Sequence, residues 1–139
     1  MMNDCCKKAF EDSRFALMIE NDMILHRDLH IDNYLDTLDS TNVGNVQFKY
    51  FNTTTHKCAM NSFEHNNTAY ICTLPLAQES CAVSFGQNLF SKRWFEKIGG
   101  FLANELDTDK VERDYRNKYA TQLSQPFPLF NVIDANNLH

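Results

Sequence analysis

The sequence predicts an α+β domain, an antiparallel sheet of about five strands flanked by helices, and three observations carry that prediction. Apolar and polar residues alternate in short runs between residues 14 and 74, the period of half-buried strands. Around residues 31–38, and again from 82 to 123, apolar residues recur every third or fourth position, the period of helices. At 139 residues, with 43% hydrophobic residues, eleven Phe and five Tyr, the chain can bury one core.

The elements follow in order. Residues 1–13, MMNDCCKKAFEDS, read as a leader, 14–124 as the single domain and 125–139 as a tail. In RFALMI, END and MILH two apolar runs flank a polar turn, which predicts a hairpin over residues 14–26. A helix over residues 5–19, with Cys6, Phe10 and Leu17 on one face, competes with it, and the break at Glu20 to Asp22 favours the hairpin. Ile31, Tyr34, Leu35 and Leu38 form the inner stripe of a short amphipathic helix. Asp32, Asp36 and Asp39 lie on its outer face, and Asp28 is placed to cap it.

NVQFKYF predicts a strand with Val46, Phe48 and Tyr50 inside and Gln47 and Lys49 outside. HKCAMNSF follows the polar NTTT turn, and TAYICTLPL follows EHNN, completing an antiparallel meander. The next segment fits two periods. Cys81, Val83 and Phe85 alternate as in a strand, whereas Ala82, Phe85, Gly86, Leu89 and Phe90, continued by Trp94, Ile98 and Phe101, repeat as in a helix. The longer pattern predicts a long helix, weakened or ended at Gly99-Gly100. Thr108 then caps a last helix in which Val111, Tyr115, Tyr119 and Leu123 fall every fourth residue before Pro126 closes it. The tail PFPLFNVIDANNLH reads as an extended edge segment packed on the domain, with a docking peptide as the alternative.

Composition excludes several classes of function. Thirteen Lys and Arg stand against eighteen Asp and Glu, a net charge of −5 without a basic run, which argues against a general nucleic-acid binder. No run of apolar residues is long enough to cross a bilayer, and the start turns charged too soon for a signal peptide. Five cysteines without CxxC spacing suit free thiols in the cytoplasm.

HRDLHIDN, from His26 to Asn33, matches the catalytic-loop signature of protein kinases letter for letter. Phosphoryl transfer also needs a DFG aspartate, a Gly-rich loop and a paired lysine, and none of these patterns is present; only 25 residues precede the motif. His26 and His30, at helical spacing with Asp28 and Asp32 nearby, could begin a metal site, with His56, Cys58 or His65 as a distant ligand. A solvated helix start is the simpler reading, and no cofactor or metal is expected.

The order strand, strand, helix, three strands, long helix, helix resembles the longin domain, a profilin-like module of vesicle R-SNAREs and trafficking complexes. FALMIENDMILHRD stands as the opening hairpin, IDNYLDTLDS as the first helix and FKYFNTTTHKCAMNSFEHNNTAYICTLPL as the meander. AVSFGQNLFSKRWFEKI stands as the long helix and YRNKYATQLSQ as the end of the last, so the likeness spans residues 14–124. The first helix is shorter than the family's, a leader precedes the hairpin, and no SNARE heptads or membrane anchor follow.

The resemblance implies a non-enzymatic protein-binding domain that regulates vesicle trafficking at the cytosolic face of endomembranes. A helical or extended partner segment would lie between the first helix and the next strand, on Tyr34, Leu35, Leu38, Val46, Phe48 and Tyr50. Ordinary core packing is the competing reading of those six. Under the resemblance, HRDLHIDN straddles a strand end and a helix start, so the kinase letters coincide by composition. The alternatives are a small inhibitory or assembly protein of unrelated α+β fold and a metal-dependent enzyme using His26, Asp28, His30 and Asp32.

Overall fold

A computed structural model describes residues 2–19, 28–29, 31–48, 59–74 and 87–135. Helix α1 (Met2–Asp12) leads into strand β1 (Phe15–Ile19), and helix α2 (Ile31–Ser40) into β2 (Val43–Gln47). The hairpin β3 (Ala59–His65) and β4 (Thr68–Leu74) follows, then β5 (Gln87–Ser91), α3 (Lys92–Ile98), α4 (Thr108–Leu123) and β6 (Phe130–Asp134).

The fold is α+β, as predicted, but the sheet is mixed rather than antiparallel, and among the described residues it has six strands, in the order β1-β5-β2-β6-β4-β3, where about five were expected. Among the described residues β2 and β6 pair in parallel, and the other four pairings are antiparallel. Strand β6, from the predicted tail, is central rather than at an edge, and the predicted leader contains α1. The second strand of the expected opening hairpin, around residues 23–26, lies outside the described residues.

Both faces of the sheet are covered. On one face, Tyr34 and Leu38 of α2 pack with Val46, Phe48, Tyr70, Leu89 and Val132. On the other, Cys6 and Phe10 of α1 join Phe90, Trp94, Ile98, Phe101, Tyr115 and Tyr119. This double burial explains why the helical period misled over the segment holding β5. Leu89 and Phe90 are neighbours in one strand and enter opposite cores, so the strand is buried on both faces and loses the alternation that marks a half-buried one. The predicted long helix is therefore a strand followed by the short helix α3, whose first turn is capped by the Ser91 hydroxyl accepting from Trp94 N–H at 3.2 Å. Gly99, with φ 87°, ends α3 in the left-handed cap its sequence predicts. Asp107, not Thr108, caps α4 by accepting from Asp109 N–H.

The short amphipathic helix α2 and the β3–β4 hairpin fall where the sequence puts them. Asn66 and Asn67 make the turn with φ of 49° and 63°, a left-handed pair that asparagine tolerates. Strand β2 differs in two respects: it lies between β5 and β6 rather than beside β3, so the expected three-strand meander is reduced to the β3–β4 hairpin, and all five of its residues are buried, so Gln47 faces a core instead of solvent. A register shift between Val43 and Asn45 opens a bulge at Gly44, and Trp94 occupies the space a Cβ would need there.

Candidate interaction surface

The surface expected between the first helix and its neighbouring strand is closed. Tyr34, Leu38, Val46 and Phe48 meet there, with exposures of 1%, 0%, 0% and 8%. The Tyr34 and Phe48 rings stack at 5.6 Å, and Tyr34 Oη donates to Asp134 Oδ2 at 2.6 Å. Leu35 is half-buried, packed against this cluster, and Tyr50 lies outside the described residues. The structure thus unites four of the six residues as core, and a charge placed at Leu38 would damage the fold rather than a docking groove.

Of HRDLHIDN, His26, Arg27 and His30 lie outside the described residues. Asp28, Asp32 and Asn33 are exposed, and Leu29 packs against the α2 core. Among the described residues no group of three His, Cys, Asp or Glu is placed to hold a metal ion. His56 and Cys58 fall outside them, while His65, weighed as a distant ligand, sits with Nε2 2.7 Å from Asp36 Oδ2. Asn66 Nδ2 also donates to that oxygen, and Ser40 Oγ donates to Oδ1 at 3.3 Å. The His65 hydrogen bond is the largest influence holding the Asp36 carboxyl below its ordinary value, and this cluster ties the hairpin tip to α2.

The described cysteines divide by burial. Burial pushes the Cys6 and Cys72 thiols up to about 11, which suppresses the reactive thiolate, whereas Cys5 is exposed. All three are free, in keeping with the sequence. No helix among the described residues is long and apolar enough to cross a membrane.

A row of buried amides crosses the middle of the sheet. Asn45 Nδ2 donates to Asn88 Oδ1 at 3.3 Å and to Asn131 Oδ1 at 2.5 Å, and Asn131 Nδ2 reaches Gln47 Oε1 at 3.5 Å. Asn131 N–H donates to Tyr119 Oη at 3.1 Å, joining the row to α4. These uncharged groups hydrogen-bond to one another between two apolar layers and align β5, β2 and β6, with Asn45 Oδ1 left buried without a partner among the described residues.

The accessible apolar surface lies elsewhere, on β1. Leu17 and Ile19 are each 47% exposed, the exposed large apolar residues that share one strand; Leu102, Leu106 and Phe127 stand in loops. Ala16 and Met18 pack against the α1 side of the sheet and Phe15 against the α2 side, so Phe15, Leu17 and Ile19 line the α2 face. Among the described residues β1 has a neighbouring strand on one side only. Lys92 N–H donates to Arg14 O at 2.8 Å, which sets the alternation of the β1–β5 ladder. Backbone groups of Ala16 and Met18 face β5, and those of Leu17 and Ile19 face outward.

Two surface clefts, of about 440 and 350 Å³, adjoin the start of this strand and share Arg14, Phe15 and Lys92. Their rims mix Arg14, Lys92 and Arg93 with Glu11, Asp12, Asp39 and Glu96, so neither presents a field of one sign. Arg93 is also engaged in the fold, donating to the carbonyls of Leu38, Thr41 and Val43 at the end of α2. The signal for the β1 surface was present in the sequence: FALMI is apolar throughout, whereas a strand with one wet face should alternate.

No protein-family model, curated protein or solved structure matches the chain.

Proposed function

We infer that this chain is a protein-binding module, and that it engages its partner through the outer edge of β1. The observation that carries the reading is the pairing of two half-exposed apolar side chains, Leu17 and Ile19, with outward-facing backbone groups on the same two residues. An extended segment laid along such an edge gains main-chain hydrogen bonds and covers the apolar side chains in one step. The clefts beside Phe15 give that segment room to continue past the end of the strand.

A role in vesicle trafficking is the narrower form of this reading and rests on the longin resemblance; the mixed sheet and strand β5 depart from the element order behind it. The test compares proteins retained from cell extract by the parent chain, by Leu17→Lys/Ile19→Lys and by Leu106→Lys, which alters a loop residue 98% exposed. A set lost from the double variant but kept by Leu106→Lys supports the reading. Identical sets on all three overturn it, and a β1-dependent set without trafficking components removes the narrower form.

A further inference from the structure

We propose that the partner of β1 is a second copy of this chain, the two β1 strands pairing antiparallel about a two-fold axis at Leu17 so that the two sheets become one. The proposal rests on the reading of β1 as a binding edge and names what occupies it.

Three features favour a second copy over an unrelated segment. First, the strand is self-complementary. Phe15 and Ile19 are equally distant from Leu17, and all three share a face. A two-fold axis therefore sets Leu17 opposite Leu17 and Phe15 opposite Ile19, and each copy covers the apolar surface the other leaves open. Second, the outward backbone groups of Leu17 have the orientation needed to exchange both hydrogen bonds with their symmetry mates.

Third, among the described residues the strand itself carries none of the usual defences of an edge. Natural edge strands carry lysine, proline, a bulge or an inward charge that discourages pairing, and Phe15–Ile19 has regular register and none of these residues. The strand is also uncharged, so pairing it with itself sets no like charges opposite one another, although each chain carries −5 overall.

The experiment uses the full chain. Analytical ultracentrifugation should give twice the chain mass, and Leu17→Lys/Ile19→Lys should be monomeric at concentrations where the parent and Leu106→Lys are dimers. Unchanged far-ultraviolet circular dichroism and Trp94 fluorescence would show that the variant folds. Directly opposed residues in an antiparallel pair are within disulfide reach, so Leu17→Cys in a Cys5→Ser background should form a covalent dimer under mild oxidation. Cys5→Ser alone and Leu106→Cys in the same background should not.

A dimer that survives the double lysine variant overturns the proposal, as does a monomeric parent. Amide exchange at Leu17 and Ile19 then separates the two levels of the argument. Fast exchange in a monomer leaves the edge open for a different protein, so the second copy fails and the binding edge stands. Slow exchange in a monomer means the chain covers its own edge, and both fail.

Discussion

Single side chains on the central strands of this protein are constrained by the layers packed on both faces of the sheet. Gly44 shows this most clearly, because a Cβ there would overlap the Trp94 ring within a bulge of a central strand. Trp94 cannot yield easily: its Nε1 donates to Tyr115 Oη at 2.9 Å, and its ring packs against Tyr119 at 5.4 Å. Gly44→Ala should therefore destabilise the fold by about 3 kcal/mol, the upper part of the range for overpacking. Chemical denaturation followed by tryptophan fluorescence would measure it, and a loss below about 1 kcal/mol would mean that the Trp94 contact relaxes freely. The same crowding explains the amide row. Gln47 reads as a solvent residue from its position between Val46 and Phe48, yet it is 2% exposed, because helices cover both sides of β2. Alternation in a sequence distinguishes the two faces of a strand, but it does not report whether the polar face meets water or a second layer of helices.

At the scale of elements, the link between α2 and the β3–β4 hairpin is made by partly exposed polar side chains. Asp36 draws His65 and Asn66 of the hairpin onto the helix, and Ser40 from its own next turn. The hydrogen bond from His65 is the chief cause of the lowered Asp36 carboxyl, followed among the lowering influences by the charge of His65, Ser40 and Asn66, with partial desolvation opposing them. A carboxyl with a folded value below its unfolded one stabilises the fold above the unfolded value and loses that contribution as pH falls through the folded one. Acidification below the ordinary value of 3.8 should therefore release the hairpin tip from α2 before the core unfolds. Backbone resonances of Asn66 and Asn67 followed by NMR should move together with the Asp36 titration. His65→Gln should shift that titration upward, and an unchanged midpoint would show that His65 does not govern the carboxyl. By contrast, Arg14 with Asp39 forms an ion pair at 2.9 Å whose side chains are 74% and 42% exposed, so it adds little to stability.

At the scale of the whole molecule, the α+β class, the short helix α2, the β3–β4 turn and the span of α4 were legible, because each has a local signature in period or turn chemistry. Two features were not. The segment holding β5 was read as helix because a strand buried on both faces carries no alternation, and the helical positions of Leu89 and Phe90 continued into a real helix at Trp94 and Ile98. The central place of β6 was hidden because strand order is a property of pairing, and nothing within PLFNVID states which strands will flank it. Of the six residues expected to bind a partner, the sequence correctly indicated which sides of α2 and β2 are apolar, but the core of this domain uses Tyr34, Leu38, Val46 and Phe48. The β1 strand was visible as an unbroken apolar run, and the hairpin partner expected for it, around residues 23–26, lies outside the described residues. The position of β6 also imposes a timetable on synthesis. Residues 130–134 leave the ribosome after every other described strand, yet they join β2 to β4, so until then β1-β5-β2 and β4-β3 are separate pieces. A chain stopped at residue 125 should show no cooperative thermal transition, whereas an independent transition in that fragment would mean that one piece folds alone. During translation the nascent protein must hold two unsatisfied strand margins apart until β6 emerges, and that vulnerability to misassembly ends only when β6 pairs with both.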